Sequence, residues 1–375
     1  MVSGEALSVR LRPRSRLIAP GYRRQPARPV VQSDSVIARL QTYLLSIGPF
    51  RSPSPRPIRK VLVIGIHGWA VLGGRMFSWS PSTMSMSLAR SMGAAVRQRL
   101  AVSDQNAIDL THISLFGHGL VDSRLNDYLL EHLPEYERSI RECDALLVAA
   151  HSQGVVLAGL LMEALLDQGW IAPGRQSHLG LLCMAGVHHG PFPDLPTDQF
   201  PATTELFSLG HPYAAVASRS LHAITRLLTA QVRIIAICAY MDSVVPLFSS
   251  AIHSVTSHPN LLRAIYTTDE SDGFPVRLVA FCLEWRNLRS EQSDLLPHLS
   301  GFYRGSFFDR RGSHTTIHEE RGVYDLAAEW VLSAPVAASN TDQAESALAQ
   351  HTSAHWAIYL NDAFYYSDLN TYFIR

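Results

Sequence analysis

Residues 144–166 read Asp-Ala-Leu-Leu-Val-Ala-Ala-His-Ser-Gln-Gly-Val-Val-Leu-Ala-Gly-Leu-Leu-Met-Glu-Ala-Leu-Leu: an apolar strand, a tight turn centred on Ser152, then an apolar helix. That is the layout of a nucleophile elbow, in which the serine is forced into a strained backbone angle. The turn lifts the hydroxyl above the sheet and aims the next amide, that of Gln153, at any anion formed there. Such a bend needs small neighbours. Gly154 stands two residues after the serine and Ala150 two before it, so the motif is A-x-S-x-G. The pentapeptide alone also fits an ordinary polar strand-to-helix turn, and the rest of the chain has to separate the two.

A serine hydroxyl is a poor nucleophile unless a histidine takes its proton and a carboxylate orients that histidine. The expected order is serine, acid, histidine, each on a loop at the carboxyl end of a strand. Val232 to Tyr240 is an apolar run of strand length followed at once by Met-Asp-Ser-Val-Val-Pro, which places Asp242 where the acid belongs. Rival acids are Asp269, Glu270 and Asp272, after the apolar run ending at Tyr266, although three acids in four residues usually mark a solvated turn. The aromatic run 301–308 reads as a strand, and 323–332 as the last helix, with His314 on the loop between them. His318, one turn later, reads as a packing or surface residue.

An oxyanion site needs a second donor. Lys60 opens a strand, Val-Leu-Val-Ile-Gly-Ile, that runs into His67-Gly68-Trp69. Gly68 permits a sharp turn, making the Trp69 amide the expected partner of Gln153, with His67 holding the loop by a ring hydrogen bond.

Taken in order, Val61-Leu-Val-Ile-Gly-Ile-His-Gly-Trp69, Ala150-His-Ser-Gln-Gly154, Gly186-Val-His-His-Gly-Pro-Phe192, Asp242-Ser-Val-Val-Pro-Leu-Phe-Ser249, His258-Pro-Asn-Leu-Leu-Arg-Ala264, Ser313-His-Thr-Thr-Ile-His-Glu-Glu320 and Val323-Tyr-Asp-Leu-Ala327 resemble the α/β-hydrolases. More narrowly, the chain resembles a fungal, lipase- and esterase-like family of that fold, across roughly residues 58–333. The resemblance implies Ser152, Asp242 and His314 as a triad. Two departures stand out: Ser313 replaces the glycine expected before the histidine, and residues 70–75 lack the Pro- and Lys-containing loop of the family, which implies a different substrate mouth.

Strand candidates at 60–66, 109–116, 144–150, 179–185, 232–240 and 301–308 alternate with helical patterns. Long apolar strands flanked by helices imply an α/β fold, a mostly parallel sheet covered by helices on both faces. Residues 186–230 exceed a simple crossover and read as a helical cap. Phe192 and Phe207 are its expected substrate-binding residues, with Phe200, Leu206 and Tyr213 also available to an apolar pocket. The hydrolase domain is thus expected over 58–333.

The flanks differ in composition. Residues 1–33 carry seven arginines and four prolines against one glutamate, and read as a disordered extension or, alternatively, a mitochondrial presequence. Residues 34–47 have an amphipathic helical pattern, and prolines at 49, 53, 55 and 57 make a linker. After 333 an Ala/Ser/Gln-rich tether leads to an aromatic end at 356–373, too apolar for a solvated tail.

Of 375 residues 47% are hydrophobic, enough to bury a large core without metals or disulfides. A net charge of zero gives no electrostatic footprint for nucleic acid or an anionic membrane. Cys143, Cys183, Cys238 and Cys282 are far apart and read as reduced core residues of an intracellular, cytoplasmic protein. The longest apolar stretch, 155–162, falls well short of the ~18 residues of a membrane span. Among 17 histidines no zinc-ligand spacing occurs, and Gly117-His-Gly119 lacks the lysine of a phosphate loop, so neither metal nor cofactor is expected.

The reading is a serine hydrolase of an apolar or lipid-like ester or thioester. Acyl transfer shares its first half-reaction, and a silent ligand-binding homologue is the alternative from outside enzymology. Epoxide hydrolysis and dehalogenation need an aspartate where Ser152 stands.

Overall fold

Alternation of apolar side chains along Lys60–Ile66 divides the molecule into two layers, and the computed structural model shows what fills each. The structure describes residues 16–18, 57–68, 81–101, 108–195, 201–267, 274–288, 295–306 and 313–333. In chain order the elements are β1 (Arg16–Ile18), β2 (Lys60–Ile66), α1 (Pro81–Ala101), β3 (Asp109–Leu115), α2 (Val121–Asp127), α3 (Glu137–Glu142), β4 (Ala145–His151) and α4 (Gln153–Asp167). There follow β5 (His178–Met184), α5 (Pro201–Ser208), α6 (Ala215–Thr229), β6 (Arg233–Ala239), α7 (Leu247–Ser250) and β7 (Leu261–Thr267). The last are α8 (Phe274–Leu288), α9 (Leu295–Phe302), α10 (Ser313–Thr316) and α11 (Arg321–Ser333).

The strands form one sheet in the order β1-β7-β6-β5-β4-β2-β3, parallel throughout except for β1, which runs antiparallel to β7. Every residue of β4, β6 and β7 is buried, as expected of strands covered on both faces. Leu62, Ile64 and Ile66 pack with α4 and α6 on one face, whereas Val61 and Val63 pack with α1 and α11 on the other. A third cluster joins α7, α8 and α9 beside β6 and β7. All four cysteines are buried and free.

Three expectations need correction. Residues 301–308 hold no described strand: α9 runs to Phe302, its Leu296 and Leu299 recurring at helical spacing on the buried side. The strand β7 at 261–267 takes the place in the sheet instead, its apolar run being two-faced rather than a turn flank. Within the extension expected to be disordered, Arg16–Ile18 is a strand, because β7 offers an open row of backbone donors and acceptors. Of the expected cap, α6 lays Ala223, Ile224, Leu227 and Leu228 into the core against α4, serving as the β5-to-β6 crossover. The expected helix at 34–47 and the end after 333 lie outside the described residues.

Glycine decides how closely α1 crosses the sheet. A Cβ at Gly65 would stand 1.9 Å from the Ser85 carbonyl oxygen and 2.8 Å from the Ala89 nitrogen, so helix and strand touch backbone to backbone. At Gly180 a Cβ would meet only side-chain atoms of Val331. Gly65→Ala is therefore expected to cost about 3 kcal/mol or more in urea unfolding, since neither backbone can yield, and Gly180→Ala distinctly less. Equal costs for the two would contradict a rigid contact at Gly65.

Candidate active site

Ser152 follows β4 with φ 57° and ψ −126°, a region that non-glycine residues enter only under constraint. Its amide donates to the Met184 carbonyl at 2.9 Å, which fixes the turn against β5. The side chain is half-buried at the carboxyl end of the sheet. Gln153 opens α4, so its amide has no partner within its own helix and lies at the positive end of the helix dipole.

Register brings the second loop to the same place. Ile66 pairs with Ala150, so the residues after β2 lie beside the elbow. Here two glycines interlock. A Cβ on Gly154 would stand 2.5 Å from the Ile66 carbonyl oxygen, and one on Gly68 2.7 Å from the His151 oxygen and 2.8 Å from the Ser152 Cβ. Trp69, the expected second donor, lies outside the described residues, but Gly68 immediately before it is packed over Ser152 and the Gln153 amide.

The expected acid and base meet. His314 Nδ1 donates to Asp242 Oδ2 at 2.8 Å, both side chains being buried. Asp242 Oδ1 accepts the amides of Val244 at 2.7 Å and Val245 at 2.9 Å, so the Ser-Val-Val turn after β6 wraps around the carboxylate. With Nδ1 occupied, Nε2 of His314 is left as the acceptor. His314 sits in the short helix α10 rather than on an open loop. The rival acids Asp269, Glu270 and Asp272 lie outside the described residues. His318 makes no bond to Asp242; it occupies a 3-10 turn, and its carbonyl accepts from the Tyr324 hydroxyl at 2.6 Å.

Three buried residues that sequence reasoning did not single out hold this arrangement. His151 Nε2 bonds the His314 carbonyl at 2.9 Å, tying the residue before the serine to the backbone of the histidine. Ser85 Oγ accepts the His67 amide at 3.1 Å and donates to the Leu115 carbonyl at 2.8 Å. Arg124 reaches the His67 carbonyl and the Gln153 side chain. Adjacency to Ser152 was the available signal for His151; the other two meet groups distant in sequence and left none. Within His67, Nδ1 has no partner among the described residues, so the loop is held through its peptide and not through that ring nitrogen.

Phe192 is buried with its amide on the Val244 carbonyl at 2.9 Å and Arg304 over its ring, which makes it a tie between the β5 loop and the acid turn. Phe207 is half-buried on α5. A cleft of about 440 Å³ is walled by His188, His189, Tyr213, Ala217, Leu221 and Ile224 among others, but by neither phenylalanine nor Ser152. Phe200 lies outside the described residues. Among the described residues no group of three or more His, Cys, Asp or Glu side chains could hold a metal, and no helix is long and apolar enough to cross a membrane.

A parallel sheet with a strained serine turn after one central strand and an Asp–His pair beyond it defines an α/β-hydrolase. The chain belongs to the YMC0/YMC35 alpha/beta hydrolase domain family, which it matches over residues 37–358. Among solved structures it is similar to Est1E from Butyrivibrio proteoclasticus with bound ferulic acid, at 12% identity and TM-score 0.34, covering 62% of this chain and 88% of that one. It is similar also to phospholipase PlaB from Legionella pneumophila, at 11% identity and TM-score 0.37, covering 66% and 62%. No curated protein sequence matches the chain.

Histidine burial has a further consequence. Burial, aided by the nearby His318 and Arg124, pushes His67 down to about 4; burial alone takes His188 to about 4. Burial, together with His188 and Arg286, takes His189 to about 3, and His151 is driven well below the usual histidine value chiefly by burial. Folded values below the unfolded one mean that the unfolded chain takes up protons first. Stability is therefore fully present above about pH 6.5 and is lost as pH falls toward 4 and below. Both ring nitrogens of His188 lack partners among the described residues, so His188→Leu should keep the fold at pH 7. Its denaturation midpoints between pH 7 and 4 should decline less than the parent's, by a difference on the order of 3 kcal/mol. Parallel curves would show that His188 is not buried neutral.

Proposed function

We propose that this chain is a serine hydrolase that cleaves an ester or thioester of an apolar or lipid-like substrate through an acyl-enzyme. The observation that carries the reading is the Asp242–His314 bond, tied through His151 to a serine in a strained elbow. Ser152 Oγ attacks the carbonyl carbon while His314 Nε2 takes its proton. Asp242 holds the imidazole with Nδ1 protonated and stabilises the imidazolium that forms. Negative charge gathers on the former carbonyl oxygen, where the amides of Gln153 and Trp69 receive it. Collapse of the tetrahedral intermediate expels the alcohol or thiol, protonated by His314. Water, deprotonated by the same histidine, then releases the acid and restores Ser152. Phe207, half-buried on α5, is the described aromatic side chain that supports an apolar acyl group.

Ser152→Ala should abolish covalent labelling by a fluorophosphonate and lower turnover of nitrophenyl esters by roughly 10³-fold or more, with unfolding unchanged. Parental turnover in that variant refutes the nucleophile. A series of acyl chain lengths then sizes the pocket.

Asp242→Asn tests the acid separately. Its amide oxygen can still accept from Val244 and Val245, which turns the NH₂ toward His314 and forces Nδ1 to accept, placing the proton on Nε2 where Ser152 needs a base. Turnover should fall by up to about 10⁴-fold with KM little changed. A near-normal Asp242→Asn beside a crippled Asp269→Asn or Asp272→Asn would move the acid to the loop after β7.

A further inference from the structure

Arg124, on α2, is among the most deeply buried large side chains of the described structure, with only 1% of its surface exposed. A guanidinium is always charged, and burying one is costly unless its donors are all well placed. Its partners are neutral and oxygen-bearing. Nη1 donates to Gln153 Oε1 at 3.0 Å, and Nη2 to the His67 carbonyl at 2.7 Å. Nε and Nη2 both donate to the Tyr128 hydroxyl, at 3.2 and 2.8 Å, one helical turn further on.

The two outer acceptors are not arbitrary. Gln153 carries one amide of the expected oxyanion site, and His67 stands two residues before Trp69, which carries the other. One planar group therefore spans two loops that approach each other backbone to backbone at Gly68 and Gly154. Ser85 accepts from the His67 amide, so the peptide groups on both sides of His67 are pinned. The platform beneath Arg124 is itself anchored, since Glu205 of α5 accepts the amide of Val121 at the start of α2.

We propose that Arg124 is a positioning residue for the oxyanion hole, holding the His67-Gly68 turn against the Gln153 amide and placing a buried positive charge behind the developing anion. The inference rests on the serine-hydrolase reading of the same site. Hydrogen bonds from a fixed fork hold both loops at once, which a lysine ammonium on a flexible stem does not reproduce. Because the amides act on charge that exists only in the transition state, their misplacement acts on kcat and spares ground-state binding.

Arg124→Met, Arg124→Lys and Tyr128→Phe are compared with the parent in three measurements. These are hydrolysis of a nitrophenyl ester, inhibition by a trifluoromethyl ketone whose serine adduct carries an oxyanion, and amide hydrogen exchange at Gly68 and Gln153. Arg124→Met should lower kcat by about 10- to 100-fold with KM within about threefold, and weaken the ketone by a similar factor. Arg124→Lys should recover only part of the loss, and exchange at both amides should quicken in both Arg124 variants. Parental kcat in a folded Arg124→Met overturns the proposal, as does a kcat loss with undiminished ketone affinity. Should Arg124→Met not fold, Tyr128→Phe decides: a loss of about 3- to 10-fold shared by kcat and ketone affinity supports the proposal, and parental values overturn it. If the parent takes no fluorophosphonate label and cleaves no ester, the serine-hydrolase reading is what fails. Exchange then decides the positioning claim, and unchanged exchange at Gly68 and Gln153 in Arg124→Lys overturns it.

Discussion

Two backbones lie closer at the elbow than any side chain would permit. The end of β2 and the turn after β4 are in contact through Gly68 and Gly154, each filling a space in which a Cβ would collide with a peptide of the other loop. This contact sets the rest. It puts Gly68 against the Gln153 amide, keeps the serine in its unfavourable φ, and requires β2 and β4 to be neighbours in exact register. Ala185 and Met241, after β5 and β6, also have positive φ, so three adjacent strands each end on a constrained non-glycine residue at the edge that carries the site. The cost of those angles is met by the sheet beneath, where every residue of β4 and β6 is buried.

The acid side is built differently, from hydrogen bonds. Asp242 is enclosed by its own turn and by the chain near 305: Gly305 donates to the Asp242 carbonyl at 3.0 Å, and a Cβ there would stand 2.0 Å from the Met241 oxygen. Phe192 reaches the same turn through the Val244 carbonyl. The histidine arrives on a separate segment and is joined to the serine side through the His151 ring, whose centroid lies 4.9 Å from that of His314. In the proposed mechanism, proton transfer between Ser152 and His314 would depend on the His151 imidazole, which takes no part in it.

Much of this was legible before the structure, for physical reasons that differ by element. Residues 144–166 were readable because a two-faced buried strand, a small-residue turn and an apolar helix each leave a local composition. The pairing partner of His314 was readable because Asp242 follows a strand and precedes a Val-Val-Pro turn. The run at 301–308 misled because aromatic residues suit strands, whereas helical spacing at Leu296 and Leu299 lay just upstream and governed the segment through Phe302. What could not be read was the support. Ser85 acts on backbone carbonyl and amide groups, which every residue possesses, and Arg124 joins the His67 carbonyl to the side chains of Gln153 and Tyr128, which only the fold brings together. Phe192 and Phe207 were chosen for their apolar character, which does not distinguish a pocket wall from a packing contact.

The antiparallel strand at Arg16–Ile18 bears on how this domain stays apart from its neighbours. β7 is buried along its whole length and largely apolar, and its outer row of peptide groups is matched at Arg16–Thr267, Leu17–Tyr266 and Ile18–Ile265. The opposite margin, β3, is half-exposed and interspersed with polar side chains, a poor template for another chain. A basic segment far from the hydrolase motifs therefore acts as a selvedge. Shortening the chain to those motifs would leave a bare apolar strand at the margin of the sheet, ready to zip onto a second copy and draw the domain toward fibrous association.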